Sequence, residues 1–226
     1  MGYYELSYLL MFVSIIITIV AQIYVSASYS KYKKVENSKG ITGAEVAREI
    51  LDKHGLSNVY VTETKGNLSD HYDSKRKVIR LSSDVYHGTT VAAVSVAAHE
   101  VGHAIQDKEG YSFMRFRHSM FPLVNLSSKA GYFAIMFGLI FGYFELIWVG
   151  IALEIIILLF QLVTLPVEFN ASKRAAKEIE KNNFLVAGER KGSKKMLNAA
   201  AFTYVASVLT TLIQIFRLML IARRDD

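Results

Sequence analysis

From Ala130 to Val167 the chain reads AGYFAIMFGLIFGYFELIWVGIALEIIILLFQLVTLPV, 38 residues in which only Glu145 and Glu154 carry charge. As a single helix this run would be about 57 Å long, nearly twice the roughly 30 Å of a bilayer's hydrocarbon core. Two helices joined by a short turn fit it, and the pattern predicts them over Pro122–Gly142 and Leu146–Pro166, with Glu145 at the turn. Working outward, Leu6 to Ser30 holds no charged residue, and 25 residues rise about 37 Å as a helix, enough for another span. Asn198 to Phe216 is uncharged and is followed by Arg217. Four transmembrane helices are predicted.

The bulk numbers agree. Of 226 residues, 52% are hydrophobic, and the mean hydropathy of +0.26 is too high for an ordinary soluble domain. With no cysteine, disulfides, thiolate metal sites and cysteine nucleophiles are excluded. Only Pro122 and Pro166 interrupt helix formation. Val25-Ser26-Ala27 resembles a signal-peptide cleavage site, but the leader Met1-Gly2-Tyr3-Tyr4-Glu5 lacks Lys and Arg, and the apolar run is too long. The first helix is therefore expected to be retained.

Basic residues set the expected orientation. Fifteen Lys plus Arg fall between Lys31 and Lys129 and eight between Lys173 and Lys195, which is 23 of the 26 in the chain. Basic loops stay in the cytoplasm, so both polar segments are expected inside the cell and both termini outside. The net charge of +6 is then a topology signal with some attraction to anionic lipid. No nucleic-acid partner is needed to explain it.

Within the first polar segment, Thr42-Gly43-Ala44-Glu45 is a capping box that opens an amphipathic helix closed by Gly55. Asn58–Thr64 reads as a strand, Leu68–Tyr72 as a short strand, and Lys77–Leu81 as a strand that is either internal or an edge open to an extended peptide. An alanine-rich helix follows from Thr89 towards Gln106. In the membrane, Glu154 and Arg217 are expected to pair, because an unpaired charge is costly there.

The alanine-rich helix carries His99-Glu100-Val101-Gly102-His103. Histidines at i and i+4 share one helical face and can both bind one zinc ion. Glu100, rotated about 100° from His99, is poorly placed as a ligand but well placed to take a proton from a water that the ion activates. It can then return that proton to a leaving amine, so the chemistry indicated is peptide hydrolysis. A catalytic zinc takes a third protein ligand. The metzincin extension is absent, since position 106 is Gln and position 109 is Glu. Asp107, Glu109, His71, His118 and Glu168 are the candidates, and Glu168 lies where the third span emerges on the motif's side of the membrane. For stabilising an oxyanion, His71, His118, Arg174 and Tyr204 are candidates with no means of choosing among them.

Leu68–Asp73, Leu81–Gly88, Ala97–Gln106, Leu165–Ser172 and Leu197–Ala206 together resemble the YugP-type neutral zinc metallopeptidase family of bacteria, over nearly the whole chain. The layout is more distantly similar to HtpX-like membrane proteases and CAAX prenyl endopeptidases. In those gluzincins a transmembrane hairpin separates the His-Glu-x-x-His helix from a helix bearing Glu-x-x-x-Asp, whose Glu binds zinc. The resemblance implies Glu168 as third ligand beside His99 and His103. Ser172 stands where the Asp is expected, with Asn170 as a possible substitute partner for a histidine.

The fold expected is mainly α and integral to the membrane, with four transmembrane helices and a small cytoplasmic α+β zincin-like metallopeptidase domain. Residues 1–29 are the first span, 30–120 the domain with the His-Glu-x-x-His helix, and 121–166 the hairpin. Residues 167–197 are the helix with the third ligand, and 198–226 the last span and tail. The function indicated is a one-zinc endopeptidase acting on peptides or membrane proteins at the lipid bilayer, with Glu100 as general base and acid. The competing reading is a non-enzymatic membrane scaffold with a structural zinc. A transporter would need broken or charged helices that these spans lack.

Overall fold

The computed structural model describes residues 3–223, so Met1-Gly2 of the leader and the tail residues 224–226 lie outside the described residues. Seven helices and three strands follow in the order α1 (Tyr3–Tyr32), α2 (Gly43–Lys53), β1 (Tyr60–Thr64), β2 (His71–Asp73), β3 (Val78–Ser82), α3 (Ser83–Tyr86), α4 (Val91–Lys108), α5 (Ser112–Phe141), α6 (Phe144–Lys181) and α7 (Ala187–Ala222). Two compact units emerge. One comprises the chain up to Ile23, Arg115–Pro166 and the chain from Phe202; the other comprises Tyr24–Met114 and Val167–Ala201.

In the first unit, α1, α5, α6 and α7 are each long and apolar enough to cross a membrane. Their outer surfaces carry exposed Phe12, Ile16, Ile23, Phe133, Ile140 and Leu159. An apolar surface of this kind is stable only against lipid or another apolar partner. Helices α5 and α6 pack closely through small residues: a Cβ on Gly150 would lie 2.3 Å from Ile135 Cγ1, and one on Gly138 would lie 2.7 Å from Ile147 Cγ1. Ile147 and Ile151 meet Ile215, Leu218 and Ala222 of α7 in a buried cluster.

This register explains why the expected Glu154–Arg217 pair does not form. Glu154 lies ten residues into α6, whereas Arg217 lies five from the end of α7, so Arg217 sits about 7 Å nearer the helix ends. Glu154 instead lines a cavity with Ser14, Thr18, Thr210, Thr211 and Gln214.

The second unit is built around α4. Its alanines admit neighbours on several sides, and most of its length is buried. Helix α2 begins with the capping box foreseen at Thr42: the Glu45 amide donates to Thr42 Oγ1 at 3.2 Å, and the Thr42 amide donates to the Glu45 carboxylate at 2.8 Å. Its Val46, Ile50 and Leu51 enter one core with Ile79, Leu81, Val94, Ala97 and Val101.

The sheet has the order β1-β3-β2. Strand β3 runs parallel to β1, with Tyr60 opposite Val78, and antiparallel to β2, with His71 opposite Arg80. The strand predicted over Lys77–Leu81 is thus internal, bonded on both sides, and is not an edge for peptide addition.

Several predicted helix limits change: α6 takes in Glu145, expected at the turn, α7 starts at Ala187 and not at Asn198, and both prolines lie inside helices. Helix α5 starts ten residues before Pro122, and α6 runs through Pro166 to Lys181. Past the apolar run, Val167, Ala171, Ala175 and Ile179 recur every four residues and are all buried, which gives the helix a reason to continue.

Candidate metal centre

Helix α4 presents His99 and His103 one turn apart, with ring centroids 4.8 Å from each other and planes at 88°. The amino-terminal turn of Val167–Lys181 brings Glu168 against them. Its Oε2 lies 3.3 Å from His99 Nε2 and 3.6 Å from His103 Nε2, and all three donor atoms fall within 4.8 Å of one another. Two atoms bound at about 2.0–2.1 Å to a tetrahedral zinc are about 3.3–3.5 Å apart, so the spacing matches two edges of such a site. The donor chemistry fits as well, being two imidazoles and one carboxylate with room for a fourth position.

The close approach has a specific cause. A Cβ at Gly102 would stand 2.7 Å from the Ala171 carbonyl oxygen and 3.2 Å from its Cα, so only glycine lets these two helical segments meet here. Gly102 lies between the two histidines, and Ala171 lies three residues beyond Glu168.

Hydrogen bonds fix each imidazole. Gln106, fully buried, donates through Nε2 to the Val167 carbonyl at 2.8 Å and to Asn170 Oδ1 at 3.0 Å. Its Oε1 is therefore the acceptor that faces His103 Nδ1 at 2.9 Å, which places the ring proton on Nδ1 and the lone pair on Nε2, the nitrogen nearer Glu168. Ser172 Oγ lies 3.2 Å from His99 Nδ1 and can accept from it in the same way. Asn170 Oδ1 also accepts from Arg174 Nε at 2.7 Å, and Arg174 reaches Glu109 at 2.6 Å. The guanidinium holds the Glu109 carboxyl below its ordinary pKa range. A continuous polar chain thus runs Glu109–Arg174–Asn170–Gln106–His103.

Glu100 is only 8% exposed, yet its carboxylate makes no hydrogen bond or ion pair among the described residues. Its carboxylate oxygens are not among the buried unsatisfied atoms, so what exposure the residue keeps reaches them and leaves them open to a water.

The remaining candidates take other places. Asp107 accepts from Tyr72 at 2.8 Å and pairs with Lys77 at 2.5 Å. Burial, reinforced by the bond to Asp107, raises the pKa of the Tyr72 phenol. Glu109 is occupied by Arg174, and Arg174 is a brace of the network. His71 is exposed on β2, with Nδ1 2.8 Å from the Ser69 carbonyl. His118 lies on α5 beside Phe121, and Tyr204 lies half-exposed on α7. The sequence offers Gln106 no role beyond excluding the metzincin pattern, because its orienting bond to His103 is fixed by Val167 and Asn170, which are distant in the chain.

A profile of the family described as "Putative neutral zinc metallopeptidase" matches residues 7–223. The chain belongs to this family. It is also 47% identical over 201 residues, 89% of each chain, to a protein of Bacillus subtilis (strain 168) described as "Putative membrane protease YugP". No solved structure matches it. With four apolar helices of spanning length and a relative named as a membrane protease, this is a membrane protein.

Proposed function

We propose that the chain is a gluzincin-type zinc metalloendopeptidase that cuts membrane or membrane-proximal proteins on the cytoplasmic side of a bacterial membrane. The observation that carries this reading is the convergence of His99, His103 and Glu168 at zinc-ligand spacing, with Glu100 next to His99 on the same helix and its carboxylate unengaged by any described residue. The two imidazoles and the Glu168 carboxylate would hold the ion. When bound, zinc supplies a Lewis acid that acidifies water and polarises a carbonyl. Glu100 removes the proton of the attacking water and delivers it to the departing amine nitrogen, as general base and then general acid. Gln106 and Ser172 keep the imidazoles in the tautomer and orientation the ligands need.

The names of the family and of the Bacillus subtilis relative support the reaction class. The orientation rests on the concentration of 22 of 26 basic residues in the two polar segments, 30–120 and 167–197.

The test is a pair of variants of the full-length protein in detergent. Glu100→Gln is expected to keep zinc and lose proteolysis of casein or a membrane substrate, while His99→Ala loses both. Full activity in Glu100→Gln refutes the mechanism. A structural-zinc scaffold predicts no proteolysis in the unaltered protein either.

A further inference from the structure

Beside the metal centre, which it adjoins at Ser172, a cavity of about 690 Å³ lies between residues 169–180 of α6 and 187–201 of α7. Its volume falls within the roughly 300–1,000 Å³ of ligand sites. Four cations line it, as Lys173 and Lys177 one turn apart on α6 and Arg190 and Lys194 one turn apart on α7. Like charges at this spacing repel along each helix, and here both pairs also open onto one shared space. Glu180 neutralises Arg190 at 3.0 Å. Lys173, Lys177 and Lys194 make no hydrogen bond or ion pair among the described residues. Three cations therefore line the cavity uncompensated.

The recess also has an apolar contribution at one end, where Phe169, Leu197 and Ala201 stand with Asn198. Phe169 and Leu197 line its wall where α6 leaves, and α7 enters, an apolar run of spanning length; Lys177 and Lys194 lie farther from those runs along their helices. A soluble anion would need no apolar end. A phospholipid has acyl chains at one end and phosphate at the other.

We propose that this cavity between α6 and α7 seats the headgroup of an anionic phospholipid, with its phosphate among Lys173, Lys177 and Lys194. The first methylenes of the acyl chains lie against Phe169 and Leu197. Basic pockets beside membrane helices are suited to such headgroups, and the supply of anionic lipid matches the orientation proposed above. The site stands whether or not the chain hydrolyses peptides, because binding is read without any turnover.

The experiment is native mass spectrometry of the full-length protein in nonionic detergent, titrated separately with dioleoyl phosphatidylglycerol and dioleoyl phosphatidylcholine. One phosphatidylglycerol is expected to be retained at a concentration at least tenfold below that needed for phosphatidylcholine. The triple variant Lys173→Gln, Lys177→Gln, Lys194→Gln should lose that preference. The triple Lys39→Gln, Lys65→Gln, Lys75→Gln, which removes the same charge elsewhere, should keep it. Lys177→Glu alone, at an exposed helix position, should weaken retention at least fivefold.

Four results would overturn the proposal. They are equal retention of the two lipids, equal loss in both triple variants, unchanged retention in Lys177→Glu, and displacement of the lipid by millimolar inorganic phosphate or by a micromolar polyglutamate peptide.

Discussion

Gly102→Ala sets two physical effects of opposite sign against each other. In a helix interior, alanine is favoured over glycine by about 1 kcal/mol, so helix propensity alone makes the variant more stable. The packing opposes this. The new methyl would lie 2.7 Å from the Ala171 carbonyl oxygen, where ordinary contact begins near 3.4 Å, so the two segments must part by about 0.7 Å. Metal sites tolerate ligand displacements of roughly 0.2 Å. Ala171 and Glu168 share a helical turn, and Gly102 shares one with both histidines, so the separation falls directly on the three proposed ligands. Zinc affinity should drop at least tenfold, about 1.4 kcal/mol, as measured by chelator competition. Gly188→Ala, where nothing lies within 4 Å of the added Cβ, should leave zinc affinity untouched. Zinc binding within twofold of the unaltered protein in Gly102→Ala would show that the close approach does not set the site's geometry.

Two further outcomes follow from the network and the cap. Gln106→Leu preserves volume but leaves His103 Nδ1, the Val167 carbonyl and Asn170 without their buried partner, so zinc affinity should fall about 10–100-fold in the same chelator titration; a change under twofold would contradict the orienting role. Thr42→Ala removes the cap of α2 and should cost about 1 kcal/mol in denaturant unfolding at neutral pH. Hydrogen bonds from the Thr42 backbone and side chain lower the Glu45 pKa in the folded state, so that contribution is present above the ordinary carboxylate pKa and is lost as pH falls through the lowered value. The gap between Thr42→Ala and the unaltered protein should therefore narrow in acid, and a constant gap would assign the cost to the threonine alone.

Much of the architecture is visible in local pattern. Long uncharged runs mark the four apolar helices, because crossing a bilayer demands length and composition, not partners. The capping box at Thr42 and the His-Glu-x-x-His helix are likewise local features. What escaped depends on distant partners. Strand β3 has the same alternating pattern whether internal or at an edge, and only its pairing with both β1 and β2 decides. Antiparallel order made Glu154 and Arg217 look like neighbours, but depth is set by helix register, which puts Arg217 beyond reach. Pro166 suggested a helix end, yet the buried stripe through Val167, Ala171, Ala175 and Ile179 carries α6 past it. Gln106 gains its meaning only when Val167 and Asn170, some sixty residues later, come to meet it.

Both imidazoles of the centre lean on uncharged neighbours, a hydroxyl at Ser172 and a carboxamide at Gln106. A carboxylate in either place would push electron density into the ring and through it onto a coordinated ion. Neutral supports push less, so an ion held by His99 and His103 retains more of its electrophilic character. Neither a serine hydroxyl nor a carboxamide gains or loses a proton across the range in which proteins stay folded, so the backing of both rings is the same throughout it.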